Sequence, residues 1–187
     1  MAQEDSIGMT DIYRFLARSM RYPDAAWMDD QYFAIISNIL NGLGWDDESR
    51  DLADFLDFSA DWLEPIQIEY TRLFVNAVPS VIAPPYGSIY LSADGMLYGP
   101  SAVSVKEFYQ EKGFELAGEG DLPDHISSEL EFLALLAEQG NQADEDLFLN
   151  KHFRTWFPKF KEKLLGEVQH PFYRILVKLI DFFTREE

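Results

Sequence analysis

The chain contains no cysteine, which removes disulfide cross-links, thiolate metal ligands and a cysteine nucleophile together. Basic residues are scarce: 15 Lys and Arg stand against 33 Asp and Glu, a net charge of −18. That balance argues against nucleic acid as a partner, because phosphate contacts need clustered cations that release counterions. It suits a basic partner, or simply solubility, since net charge governs association and solubility rather than fold. No stretch approaches the ~20 apolar residues that span a bilayer. The start, MAQEDSIGMTDIYRF, lacks the basic segment and continuous apolar run of a secretory signal. A cytoplasmic protein that is not integral to the membrane is therefore expected. Several catalytic signatures are missing too, namely the HExxH pair, the GxSxG elbow, the Walker loop and the dinucleotide glycine fingerprint. Gly118-Glu119-Gly120 lacks the preceding strand that a phosphate cradle needs.

What is present is apolar and helical in period. With 187 residues, 47% hydrophobic and 15% aromatic, the chain is long enough to bury a core, and one domain over residues 1–187 is expected. Ile12, Phe15, Leu16 and Met20 share a helix face, with Thr10 placed to cap it and Pro23 beyond its end. Phe33, Ile36, Ile39, Leu40 and Leu43 form a second stripe that stops at Gly42 and Gly44. Leu52, Phe55, Leu56, Trp62 and Leu63 suggest a third helix, broken where Pro65 fits the first turn of a fourth. That fourth helix carries Ile66, Tyr70, Leu73 and Phe74. Further along, Ser101 or Ser104 is placed to cap a helix bearing Val105, Phe108 and Tyr109. Ile126, Leu130, Leu133 and Ala137 mark the clearest helix, and another runs from about Asp144 to an interruption at Pro158. A last one starts near Pro171. Strand-like alternation is confined to the central loop, so the fold class is all-α, a globular helical domain with mixed crossings. Periodicity is compatible with a monomer or a helix-exchanged dimer.

Residues 69–100, EYTRLFVNAVPSVIAPPYGSIYLSADGMLYGP, end a helix and open a long loop. Pro79, Pro84 and Pro85 fix φ and restrict the residues before them, so Ala83 to Tyr86 is expected to be extended. Turns at Gly87, Asp94-Gly95 and Gly99 leave Ser88–Leu91 and Met96–Tyr98 as short extended pieces. Ordered loops of this length are usually functional. A stiff loop bearing Tyr86, Ile89, Tyr90 and Tyr98 reads as a recognition surface. A helix with Tyr70, Leu73 and Phe74 leading straight into it supplies a wall for a peptide groove, although the same spacing also serves a core.

The three histidines offer a competing chemistry. His125 and Glu129 stand at helical i, i+4 spacing behind Asp124, which permits a metal-dependent hydrolase centred on Asp124, His125 and Glu129. The plainer role for Asp124 is capping the helix that begins there. His152 lies among Phe148, Phe153 and Trp156, and His170 precedes Pro171 at a helix start; both read as structural. An acidic helical adaptor for an unrelated partner is the third reading.

Three motifs in order carry a resemblance: Glu69-Tyr70-Thr71-Arg72-Leu73-Phe74, then Ala83-Pro84-Pro85-Tyr86-Gly87-Ser88-Ile89-Tyr90-Leu91, then Leu122-Pro123-Asp124-His125 followed by Glu129-Leu130-Glu131-Phe132-Leu133. With His170-Pro171-Phe172-Tyr173 before the final helix, the chain from about Tyr13 to Phe183 resembles the TorD/DmsD family of molybdoenzyme-specific chaperones. The resemblance implies an all-helical cytoplasmic chaperone, not an enzyme. Its partners would be the catalytic subunit of a molybdenum oxidoreductase and that subunit's twin-arginine leader. No cofactor of its own is implied, since molybdopterin belongs to the client. Carried over, the implied peptide-binding residues are Tyr70, Leu73, Phe74, Pro85, Tyr86, Gly87, Asp124 and His125. Tyr86 stands where many relatives carry Trp, and Ser92 where an acidic residue often follows the Tyr-Leu pair.

Overall fold

The computed structural model describes residues 8–58, 61–77, 80–116 and 122–186, and every regular element among them is helical. In chain order these are α1 (Met9–Ser19), α2 (Asp30–Leu43), α3 (Asp46–Phe58), α4 (Leu63–Tyr70), α5 (Gly87–Leu91), α6 (Pro100–Glu111), α7 (Ile126–Glu138), α8 (Gln142–Phe148), α9 (Arg154–Glu167) and α10 (Pro171–Thr184). Wide π turns at Thr71–Val75 and Leu149–Phe153 follow α4 and α8. The all-α expectation holds. Pro79 and the Gly118-Glu119-Gly120 piece lie outside the described residues.

Contacts gather the chain into two compact units. Unit 1 comprises Met1–Arg21, Pro85–Lys161 and Phe183–Glu187. Here α1 packs on α7, burying Ile12, Tyr13, Leu16 and Ala17 from one helix and Leu130, Leu133 and Leu136 from the other. Phe108, Tyr109, Phe132 and Phe148 build an aromatic cluster in which Phe132 and Phe148 meet edge to face at 4.8 Å. Each such ring contributes about 1.5–3 kcal/mol by leaving water. Ion pairs such as Arg14–Glu138 are half-exposed and add little beside that.

Unit 2 comprises Tyr22–Pro84 and Glu162–Phe182. Its core joins Tyr32 and Phe33 to Phe172, and Tyr70 and Phe74 to Tyr173. Glu69 is a charged member of this interior, 5% exposed. It accepts two bonds from Arg72, at 2.7 and 2.9 Å, and the amides of Gln169 and His170 at 2.7 and 3.2 Å. Those partners make the buried charge tolerable. His170 turns its Nδ1 to the N–H of Phe172 and so caps α10.

Several local expectations give way to the surrounding structure. Gly8 rather than Thr10 precedes α1, and α2 runs through Gly42 to end at Gly44 in the left-handed region (φ 69°). Neither Ser101 nor Ser104 caps α6; the helix begins at Pro100 after Gly99, because proline at the first position needs no N–H partner. Ser88–Leu91 is helical, not extended. Leu97 and Tyr98 form a turn. Pro158 does not interrupt a helix but lies inside α9. It falls in the first turns after the π turn, where a missing N–H removes only one internal bond.

Candidate functional site

Two motifs far apart in sequence are bound together in unit 1. The N–H of Gly87 donates to the carbonyl of Asp124 and that of Ile126 to the carbonyl of Pro85, both at 2.9 Å, forming an isolated antiparallel bridge between Tyr86 and His125. The rings of those two residues meet edge to face at 4.9 Å. Both side chains are half-buried, so each keeps a surface open to a partner. Tyr86 has an extended backbone and leads directly into α5. Burial and the nearby Asp124 carboxylate raise its phenol above the ordinary range.

Asp124 acts on a different helix from the one expected. Its Oδ2 accepts the Ser88 N–H at 2.7 Å and so caps α5, whereas α7 is capped by His125, whose Nδ1 accepts the Ser127 amide at 3.2 Å. With Nδ1 an acceptor, a neutral His125 carries its proton on Nε2, which is then a donor. The carbonyl of Pro123 is tied to the Tyr109 hydroxyl at 2.8 Å. Both loops are thereby fixed by backbone and side chain alike.

The chain after α5 folds back onto it. Ser92 Oγ accepts the Met96 N–H at 2.8 Å, and Ser88 Oγ accepts that of Tyr98 at 3.1 Å. Tyr98 holds φ 61°, an unusual state for a bulky residue. The result is an exposed apolar run comprising Leu91, Met96, Leu97, Tyr98 and Val103, with Met96 56% exposed. Sequence reading named Tyr98 but missed Met96 and Leu97; the Asp94-Gly95 turn ahead of them was the available clue.

Behind the bridge lies a cavity of about 120 Å³, lined by residues that include Gly87, Ser104, Asp124, Glu129, His152 and Trp156. Glu129 is fully buried and accepts the Trp156 Nε1–H at 3.1 Å. Burial pushes its carboxyl well above the usual range, opposed by that bond and reinforced by the charge of Asp124. Burial, with the Lys151 charge adding to it, pulls His152 down to about 4, so its ring is neutral at physiological pH. Among the described residues no three His, Asp or Glu side chains are grouped to hold a metal ion. His125 turns to Ser127, and Asp124 and Glu129 each commit one oxygen to Ser88 and Trp156. The hydrolase centre on Asp124, His125 and Glu129 is therefore not assembled.

Of the residues the resemblance implied, Pro85, Tyr86, Gly87, Asp124 and His125 converge in unit 1. Tyr70, Leu73 and Phe74 belong to unit 2, where they are interior, at 8%, 0% and 5% exposure. Among the described residues no helix is long and apolar enough to cross a membrane.

The fold is all-helical among the described residues, with half-open aromatic side chains at the bridge and exposed apolar ones on the chain that follows α5. The chain belongs to the nitrate reductase delta subunit family, whose profile matches residues 43–162. Its relatives include the Tat proofreading chaperone DmsD of Salmonella typhi, 31% identical over 119 residues, covering 62% of this chain and 57% of that protein. DmsD of Salmonella paratyphi A is 27% identical over 175 residues, covering 79% and 84%. The chaperone protein TorD of Photobacterium profundum is 28% identical over 189 residues, covering 91% and 86%. A crystal structure described as that of a redox enzyme maturation protein from Archaeoglobus fulgidus superposes with a TM-score of 0.63 at 26% identity, covering 99% of this chain and 98% of that one. The chain spans little more than half the length of several of the curated relatives it matches. The TorD/DmsD resemblance drawn from the motifs is upheld.

Proposed function

We propose that this protein is a chaperone for a molybdenum-containing oxidoreductase, binding the twin-arginine leader and apoprotein of the catalytic subunit in the cytoplasm. It has no catalytic role and no cofactor of its own; the molybdopterin enters the client while export is delayed. The observation that carries the reading is the exposed apolar run Leu91, Met96, Leu97, Tyr98 and Val103, in the same unit as the half-open Tyr86 and His125. A leader has an apolar middle and a basic end. Burying its apolar residues supplies about 1.5–3 kcal/mol each before ordering costs. The net charge of −18 speeds and orients encounter with the basic end.

Calorimetric titration of a twin-arginine leader peptide tests this directly. Wild type binds, and Tyr86→Ala and Leu97→Asp each weaken binding by about tenfold or more. Equal affinities for all three proteins would discard the site. Capture of the client from native extract, followed by mass spectrometry, identifies the oxidoreductase.

A further inference from the structure

The cavity behind the Tyr86–His125 bridge has a floor of buried polar groups that the fold leaves incompletely bonded. Asp124, Glu129 and His152 are 1%, 0% and 6% exposed, and all three line the space. Asp124 Oδ1, Glu129 Oε1 and His152 Nε2 have no hydrogen-bond partner. An orphaned buried polar atom costs free energy, and three of them around one cavity mark it as built for something that donates hydrogen bonds. The rim is polar and open: Lys151 and Thr155 are exposed, Ser101 and Ser104 half-buried. Trp156 and Gly87 supply its flat, close-packed wall.

We propose that this cavity binds a guanidinium group, presented by an arginine side chain of the client polypeptide. The Asp124 carboxylate on the floor selects a cation, while the carbonyl oxygen of the Glu129 carboxyl group and the Nε2 of a neutral His152 that carries its proton on Nδ1 supply further acceptors. A planar fork with five N–H donors satisfies acceptors spread over Asp124, Glu129, His152 and the rim hydroxyls. An ammonium has three donors and strong hydration. The cavity has the volume of roughly four waters, at about 30 Å³ each, which admits a guanidinium and its first methylenes. Lys151 does not fill the role itself, since its Nζ lies over the Phe108 ring, 5.9 Å from the centroid. The arginine donor, though not the guanidinium site, rests on the proposed function.

Agmatine, an arginine side chain with a free amine in place of the backbone, is the probe. Cadaverine, a diamine, is its control. Wild type binds agmatine one to one and about tenfold or more tighter than cadaverine, as several charge-assisted bonds require. Asp124→Asn, which retains an oxygen for Ser88, loses about tenfold or more. Thr155→Trp, a plug introduced from an exposed position, loses a similar factor while leaving the Asp124, Glu129 and His152 side chains in place; the bond it gives up is the one from its own hydroxyl to the His152 carbonyl. Agmatine binding no better than cadaverine, or undiminished by Thr155→Trp, overturns the site. A leader that binds equally with its arginines changed to lysines overturns the arginine donor while leaving the chaperone reading intact. Selective agmatine binding by a protein that ignores every leader has the opposite meaning: the site stands and the proposed function falls.

Discussion

Asp124 and Ser88, 36 residues apart, are joined by a buried hydrogen bond of 2.7 Å from the Ser88 amide to the Asp124 carboxylate. That bond fixes the start of α5 and so the direction in which Tyr86 leaves the bridge. Replacing Asp124 by Ala orphans the amide and is expected to cost about 1–3 kcal/mol. Asp124→Asn, which keeps an acceptor, costs less. Urea denaturation gives the difference, and limited proteolysis within residues 88–100 reports whether the loop has come free.

A side chain at Gly87 would meet Trp156: an added Cβ lies 3.0 Å from both Cδ1 and Nε1 of the indole. Trp156 cannot retreat freely, because it is 1% exposed and bonded to Glu129. Gly87→Ala is expected to destabilise by about 1–3 kcal/mol through overpacking and to alter tryptophan emission. Unchanged stability and spectrum would show that the indole has room to move.

His152 and His170 are both held neutral by burial, with pKa values pulled from 6.5 to about 4, the Glu69 charge partly opposing the shift at His170. Between those values the unfolded chain takes up protons that the native one refuses. Stability contributed above pH ~6.5 is therefore lost as pH falls toward about 4, on the order of 2 kcal/mol for each histidine once screening by the solvent that still reaches each ring is allowed for. His152→Gln removes its share, which appears as a shallower fall in denaturation midpoint from pH 7 to pH 4.5.

Glu129 has the opposite sign. Burial raises its folded pKa well above 4.5, so its contribution is present below the unfolded value and lost as pH rises toward the folded one. Glu129→Gln keeps an acceptor for Trp156 and removes the titration. It is expected to raise the denaturation midpoint at neutral pH relative to wild type, with the two proteins converging in acid.

For Glu69, burial pushes the carboxyl up, but the bonds from Arg72, Gln169 and His170 outweigh it and bring the group below the usual range. Its stabilisation is present above the unfolded value and lost as pH falls through the depressed folded one. Glu69→Gln is expected to cost about 2–3 kcal/mol at pH 7, measured by urea denaturation, and the deficit narrows in strong acid.

The elements that burial alone dictates were legible in the sequence. The stripe Ile126, Leu130, Leu133 became α7 and Pro171 the start of α10, since apolar period and proline at a first turn act locally. Long-range hydrogen bonds were not legible. Asp124 looked like the cap of the adjoining helix and instead caps one 36 residues earlier. Ser88–Leu91 looked extended because alternating residues flanked by turns usually are, yet that carboxylate, joined to the Ser88 amide, sits at its N-terminal end. The motifs Pro85-Tyr86-Gly87 and Asp124-His125 were singled out, and the bridge brings them together. Glu129 was noted for its spacing, but its bond to Trp156 had no trace in periodicity.

The π turn at Leu149–Phe153 carries one residue more than an α turn would need, directly ahead of α9. Each residue swings those downstream by about 100° about the axis. Trimming a single residue there would leave a continuous rod whose indole points elsewhere, parted from Glu129 and Gly87. The helix register is thus a dial: one insertion or deletion at that spot reshapes what the chamber admits with no substitution at Asp124, Glu129 or Trp156.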